Sequence, residues 1–265
     1  MIEVDVGPGP VPFARRVTLR ATADDPLEAK RLRRRLMALL ADQPRELLCD
    51  LTEVDRATPE MLEALRTLAR HQAEWPGTPV GVACGDLRVH RQLLRDARGG
   101  RVVVGASVPV VEALLAPLPP AEHATTTLEP GLTAPRSARA FVARACLRWQ
   151  ARSIIGHACL VTSELVTNVV LHADTTARLT ISRCPGRLRI AVQDGDETRP
   201  ATSWAASPET TLTGSGRGLL LVSSVCRAWG VHPTDDGGKI VWAVLDDTSA
   251  APDPARRPPR ASRRR

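Results

Sequence analysis

The stretch Glu164-Leu165-Val166-Thr167-Asn168 places an acid and an amide four residues apart, which puts both side chains on one face of a helix. Thirty residues after the acid comes Asp194-Gly195-Asp196, at the end of an apolar run. The turn Gly214-Ser215-Gly216-Arg217-Gly218-Leu219 then precedes a helical pattern. Each piece is common by itself, but the three in this order and spacing predict a nucleotide site.

The sequence around these motifs predicts an α/β unit over residues 136–246. Apolar residues at helical spacing alternate with runs of strand length, and Pro185-Gly186 marks a turn between two of the strands. The predicted order is helices at 137–150 and 154–172, strands at 179–184 and 188–193, a helix at 218–229 and a closing strand at 240–245.

Residues 11–117 predict a separate α/β layer, because strand-like and helix-like patterns alternate along them. Thr58 followed by Pro59 and Glu60 is typical of a helix start, with the threonine as N-cap and the proline in the first turn. The predicted strands are 17–20, 46–51, 80–84 and 101–104, and the predicted helices are 26–40, one that begins after Thr58, 89–94 and 108–115.

Two segments outside these units have the composition of connections. Residues 118–135 are rich in proline and threonine, which predicts a linker. Residues 247–265 are rich in proline, arginine and alanine without any periodicity, which predicts a disordered tail. The predicted fold class is therefore α/β and α+β, in two units joined by a linker.

The net charge of +7 suggests nucleic-acid binding, but its location argues against that as the main function. Six arginines lie within the last ten residues, so the rest of the chain is nearly neutral. Aromatic residues make up 3% of the chain and tyrosine is absent from it, which leaves few rings to stack on bases. Contact with nucleic acid is therefore expected only through the arginine tail.

The chain has the composition expected of a cytoplasmic protein. Its six cysteines are scattered without a Cys-x-x-Cys pair, which favours buried free thiols over disulfides or zinc. The N-terminus lacks a basic region followed by an apolar one, and no uninterrupted run of about 18 apolar residues occurs. We therefore expect neither a signal peptide nor a membrane-spanning helix.

The motif order resembles the GHKL ATPase superfamily, in which a helix with Glu-x-x-x-Asn precedes a strand ending in Asp-Gly and a Gly-x-Gly-x-Gly helix start. Within that superfamily, residues 164–173 look most like the small bacterial anti-sigma factors that act as serine/threonine protein kinases. The resemblance covers about 110 residues, from roughly 136 to 245. It implies a Bergerat-type α/β sandwich for the second unit.

The resemblance assigns a role to each motif residue. Asn168 is the implied ligand of Mg²⁺, and Glu164 is the implied base that accepts a proton from an attacking hydroxyl. Asp194 accepts a hydrogen bond from the exocyclic amine of adenine, and Gly195 leaves room for the base. Residues 197–213 fit a mobile lid over ATP. Gly214, Gly216 and Gly218 allow the backbone to approach the phosphates of ATP, and Arg217 can contact a phosphate directly. By resemblance, Lys239 places a cation near the nucleotide.

The first unit resembles a STAS domain, the fold of anti-sigma factor antagonists. The resemblance lies in Leu47 to Val54, in the helix start that follows and in the apolar strand from Val80. In that family a turn presents the hydroxyl that a kinase partner phosphorylates. Here Pro59 takes the acceptor position and has no hydroxyl, while a capping role explains the adjacent Thr58. The unit therefore fits a non-switching partner or dimerisation module.

Two functions remain open at this stage. In the first, the chain is a cytoplasmic ATP- and Mg²⁺-binding anti-sigma regulator that phosphorylates a serine or threonine on a separate STAS-domain antagonist. In the second, it is a non-catalytic module that binds ATP or a sigma factor and uses its STAS-like unit for protein contacts. The intact Glu164 favours the enzyme, and the missing acceptor favours the binding module. The resemblance also implies a homodimer.

Overall fold

The computed structural model describes residues 2–8, 15–21, 26–41, 43–54, 57–75, 77–96, 101–118, 121–198, 217–234 and 237–248. These residues form two five-stranded sheets with helices packed against each. The first sheet is parallel except for one strand pair, and the second is antiparallel throughout. The predicted fold class, α/β together with α+β, is confirmed.

The first unit places its strands in chain order, β1-β2-β3-β4-β5, with β1 and β2 antiparallel. Its elements are β1 (Ile2–Pro8), β2 (Arg15–Ala21), α1 (Pro26–Ala41), β3 (Leu47–Asp50), α2 (Pro59–Glu74), β4 (Val80–Ala83), α3 (Leu87–Asp96), β5 (Val102–Gly105) and α4 (Val108–Leu115). The predicted start of α2 is confirmed, because the Thr58 hydroxyl accepts a hydrogen bond from the Met61 amide at 3.2 Å.

The second unit has the strand order β6-β7-β8-β10-β9, with its helices on one face of the sheet. Its elements are β6 (Glu122–Leu128), α5 (Ala134–Arg148), a 3-10 turn (Arg152–Ile154), α6 (Ile155–Asn168), a π-helical turn (Val169–Ala173), β7 (Ala177–Cys184), β8 (Arg187–Asp194), α7 (Arg217–Val225), β9 (Ala228–Pro233) and β10 (Lys239–Asp246).

Three strands were absent from the sequence prediction. β6 lies inside the predicted linker 118–135 and pairs with β7 along its whole length, so the linker assignment is wrong for those residues. Its three threonines are good strand formers once a partner strand is present.

β9 occupies the end of the helix predicted at 218–229, and Gly230 lets it pass close to the ring of Trp242. β1 precedes the predicted start of the first unit.

The helical segment Arg152–Ala173 is 22 residues long with a mean hydropathy of 1.6, enough in length and composition to cross a membrane. We expected no such helix, because scattered polar residues interrupt its apolar run. Its buried residues, including Ala158, Val161 and Leu165, pack in the core of the second unit against α5 and the sheet. Buried residues make up 39% of the apolar window of this helix, and a cytoplasmic location stays a prediction.

The two units pack against each other through what we call the interdomain interface. Ala41 at the end of α1 and Trp75 after α2 join an apolar cluster on the outer face of the second sheet, the face opposite α5 and α6. The sheet contributes Cys184, Ala191, Ile240, Trp242 and Val244. At the rim, Glu74 forms an ion pair with Arg227 at 3.4 Å, and Ser182 donates a hydrogen bond to Gln43.

Arg189 lies in this interface with its guanidinium fully buried and without a hydrogen-bond partner on any of its three nitrogens. Its Cζ lies 5.7 Å from the ring centroid of Trp242, which gives a cation–π contact. Burial lowers the pKa of Arg189 to about 9, so the group is still charged at neutral pH. A cation–π contact stabilises by about 2 kcal/mol, less than the several kcal/mol that burying an unpaired charge costs.

We therefore expect Arg189→Met to raise the free energy of unfolding by about 1–3 kcal/mol, because it removes the uncompensated charge and keeps an apolar side chain against Trp242. Urea denaturation of the full chain measures this. Arg139→Met is the matched control, since Arg139 is exposed on α5 and its replacement should leave stability unchanged. A loss of stability in Arg189→Met would contradict the assignment of Arg189 as a destabilising buried charge.

Candidate functional site

Glu164 and Asn168 lie one turn apart on α6, as the sequence predicts. The helix buries Val161, Leu165 and Val166 against the sheet, and this fixes the face on which the acid and the amide stand. Both side chains are half-buried. Asn168 is the last α-helical residue before the π-helical turn, so its side chain stands where the backbone of α6 changes its winding.

The carboxylate of Glu164 lies against the first turn of α7. A Cβ at Gly218 would overlap Oε2 of Glu164, so a side chain at this position would force the carboxylate to move. The two residues are 54 positions apart, and the packing of α6 on α7 brings them together. The first turn of a helix carries unpaired N–H groups and a partial positive charge, which stabilise an anion placed there. This end of α7 therefore favours negative groups, whether a carboxylate or a phosphate.

Asp194 ends β8 directly opposite Lys239, which begins β10. The Lys239 Nζ donates to Asp194 Oδ1 at 2.8 Å, and both side chains are almost fully buried. The same ammonium also donates to the Asp196 carbonyl oxygen at 2.9 Å and to Asp196 Oδ2 at 3.2 Å. An ammonium has three N–H donors, so these contacts occupy all of them. Lys239 thus binds the Asp-Gly-Asp turn.

Two acids therefore share one lysine. The Asp196 amide also donates to Asp194 Oδ1 at 2.9 Å, which folds the turn back on the buried carboxylate. Hydrogen bonds from Thr198 hold the pKa of Asp196 below its ordinary value, and the Lys239 ammonium adds to this shift. The group contains two acidic side chains and one basic side chain, so its formal charge is negative.

Glycine is required beside this pair at Gly238 rather than at Gly195. A Cβ at Gly238 would overlap the backbone oxygen of Asp194, whereas a Cβ at Gly195 would make only ordinary contact with Thr175 at 3.5 Å. The Gly195 amide is fixed by a hydrogen bond to the Thr175 hydroxyl at 3.1 Å. The close approach of β10 to β8 at this point is what holds Lys239 against Asp194.

A cleft of about 230 Å³ opens beside the turn. Ligand pockets for drug-sized molecules have volumes of roughly 300–1,000 Å³, so this cleft accommodates a fragment such as a base rather than a whole nucleotide. Its lining residues offer hydroxyl, amide, guanidinium and carboxylate groups. They are Thr127, Thr176, Arg178, Gln193, Asp194, Gly195 and Gly238.

The structure thus brings the predicted site residues together in two groups. Glu164 meets Gly218 at the start of α7, and Asp194, which is followed by Gly195, meets Lys239 at the ends of β8 and β10. Arg217 begins α7. Gly214 and Gly216, and the predicted lid from 199 onward, lie outside the described residues. The predicted tail is also outside them, apart from Asp247 and Thr248.

Sequence reasoning missed three contributors to this site. It gave no role to Asp196, which supplies two of the three acceptors for Lys239. It also gave no role to Thr175 or to Gly238. The available signal was the pair Gly237-Gly238 directly before one of only two lysines in the chain.

Comparison with known proteins gave no match. A scan against protein-family models found none that fits this chain, and a search of curated proteins found no significant similarity. Among the described residues, no three His, Cys, Asp or Glu side chains cluster as a metal site would require.

We expect Lys239→Met to destabilise the chain by about 3–5 kcal/mol, because it leaves the buried Asp194 carboxylate without its counter-charge. Asp194→Asn combined with Lys239→Met should recover more than half of that loss, since the double variant has no buried charge at this position. Urea denaturation of the two single variants and the double variant gives the coupling energy. Additive losses would show that the two side chains do not interact.

Proposed function

We propose that the second unit binds ATP with Mg²⁺ and acts as an anti-sigma regulator that phosphorylates a serine or threonine on a separate STAS-domain antagonist protein. The observation that supports this most directly is the contact of Glu164 with Gly218. It joins the acid of the Glu-x-x-x-Asn helix to the last glycine of the glycine-rich turn, two features 54 residues apart that the resemblance to GHKL ATPases puts in one site.

The charges at the start of α7 fit a nucleotide only if a cation is present. Glu164 already lies at this helix end, and a phosphate placed beside it would be repelled. Mg²⁺ prefers oxygen ligands and usually takes one or two from the protein, with the rest from phosphates and water. The Asn168 amide oxygen, one turn from Glu164, is the protein ligand that fits this requirement. Bound there, Mg²⁺ would screen the phosphate charge.

The base of the nucleotide is assigned to the Asp194 turn. A carboxylate can accept more than one hydrogen bond on each oxygen, so Asp194 can hold Lys239 and still accept from the exocyclic amine of adenine. Lys239 fixes the carboxylate in place and neutralises part of its charge. We assign Lys239 to positioning Asp194 rather than to contacting the nucleotide, because its three donors are already occupied.

In the proposed reaction, a serine or threonine hydroxyl of the antagonist attacks the γ-phosphorus of ATP. A bond from the hydroxyl oxygen to phosphorus forms, the bond from phosphorus to the bridging oxygen breaks, and ADP leaves. Glu164 accepts the hydroxyl proton. We do not assign Thr58 of the same chain as the acceptor, because a capping role explains its hydroxyl, which accepts a hydrogen bond from the Met61 amide.

The proposal predicts that the full chain binds ATP in the presence of Mg²⁺ and that Asn168→Ala weakens this binding at least tenfold, because the metal loses its protein ligand. Isothermal titration calorimetry with and without Mg²⁺ measures the affinity. His157→Ala, an exposed change on the same helix, should bind as the wild type does. Wild-type protein that binds no ATP would overturn the proposed function.

The kinase assignment predicts that Glu164→Gln lowers phosphoryl transfer by about 10²–10⁴-fold while ATP affinity changes little, because the amide fills the same space but accepts no proton. The assay follows transfer from labelled ATP to a purified antagonist-family protein that carries an intact acceptor serine. Calorimetry on the same variant separates binding from chemistry. Transfer by Glu164→Gln at the wild-type rate would remove Glu164 from the base role.

The packing of the first unit favours a second function, in which the chain binds its partners without catalysis. The ends of α1 and α2 of the STAS-like unit cover the outer face of the second sheet. At the start of α2, which corresponds to the acceptor turn, the Thr58 hydroxyl caps the helix. A unit used in this way serves as a fixed protein contact rather than a phosphorylation target. ATP binding without any phosphoryl transfer would favour this second function over the kinase.

A further inference from the structure

The interdomain interface combines a small apolar cluster with an unusual number of unpaired polar atoms. Of the buried side-chain nitrogens and oxygens without a hydrogen-bond partner, most belong to this interface or to its edge. They include His71 Nε2, Trp75 Nε1, Trp242 Nε1 and the three nitrogens of Arg189. Each such atom costs about 1–3 kcal/mol relative to water. These costs offset much of the apolar burial, so docking of the two units is weak.

His71 lies in the interdomain interface, between the two units. It lies near the end of α2 with 9% of its surface exposed, and its ring meets Trp242 edge-on at 5.5 Å between centroids. The His232 ring of β9 lies 6.0 Å away. A protonated imidazole would place a second cation near the buried Arg189 guanidinium.

The charged groups that face His71 oppose its protonation. Arg189 approaches from β8, His232 approaches from β9, and β10 contributes the uncharged Trp242. On α2 itself, Glu74 is engaged with Arg227 in the ion pair at the interface rim. Burial, followed by Arg189 and His232, lowers the pKa of His71 to about 3. In the docked state the imidazole is therefore neutral over the whole physiological range.

We infer that the two units separate reversibly at the interdomain interface and that acid drives the separation by protonating His71. In the separated state His71 is in water and titrates near its ordinary value. The folded, docked state has the lower affinity for the proton, so docking is strongest above about pH 6.5 and weakens as the pH falls below it. Separation exposes the outer face of the second sheet, including Ile240, Trp242 and Val244.

Cys184 offers a direct probe of this separation in the full chain. It is buried in the same apolar cluster, whereas Cys146 is buried in the core of the second unit. A thiol reagent that reacts in acid reaches Cys184 when the units separate and reaches Cys146 only when the second unit unfolds. Mass spectrometry of the labelled peptides distinguishes the two cysteines. Burial raises the pKa of both thiols, so their intrinsic reactivities change with pH in the same direction.

We expect the rate of Cys184 labelling, relative to that of Cys146, to rise about tenfold between about pH 7.5 and about pH 5.5. His71→Phe keeps a ring against Trp242 but binds no proton, so the rise should disappear. His157→Phe is the matched control, because His157 is exposed on α6, and the rise should persist there.

Three outcomes would overturn the inference. Cys184 labelling in the wild type that does not rise relative to Cys146 would show that acid does not open the interface. A parallel rise of both cysteines would show that the second unit unfolds instead. An unchanged rise in His71→Phe would assign the pH dependence to another group. The first two outcomes need only the wild-type chain, so they stand even if His71→Phe does not fold.

Discussion

Both faces of the second sheet carry apolar side chains that are buried from water, and this burial determines how the helices and the first unit pack. On one face Leu188, Ile190 and Val192 of β8 pack against α5 and α6. On the other, the alternation of the same strand presents Arg189 and Ala191, and β10 adds Trp242 and Val244. This second face is apolar enough to need a cover, and the first unit supplies it. The helices cover only one face, so the position of the first unit follows from what they leave exposed.

The first unit leaves some polar groups unpaired on the face that it covers. A well-packed core would place no guanidinium where it finds neither an acid nor a hydrogen bond, yet Arg189 is there. Apolar burial of the two tryptophans stabilises docking, and the unpaired polar groups oppose it. The balance of these opposing contributions is small. An interface of this kind can respond to a single proton.

The candidate site depends on the opposite arrangement, a buried charge that is fully paired. The antiparallel register of β8 and β10 puts Asp194 opposite Lys239, and Gly238 lets the two strands approach closely enough for the pair to form. At the other end of the site, Gly218 allows Glu164 to reach the first turn of α7. At Gly238 a side chain would collide with the backbone of Asp194, and at Gly218 it would displace the Glu164 carboxylate.

Most of the helices and strands could be predicted from the sequence, because their patterns are local. The capped start of α2 and the apolar runs of β4 and β8 need no tertiary information. β6 and β9 could not be found in this way. The threonine-rich β6 resembles a linker until β7 pairs with it, and β9 follows α7 so closely that its apolar residues continue the helical pattern.

The sequence by itself determined which residues are candidates for the site: the acid and amide of α6, the Asp-Gly-Asp turn and the glycines that follow. Only the tertiary structure decided what each of them contacts. Lys239 binds two acids, and His71 and Arg189, which no motif marks, meet between the units. The reason is physical. Local spacing specifies a helix face or a strand end, but the partner of a charged group lies on an element distant in sequence, and packing alone sets that distance.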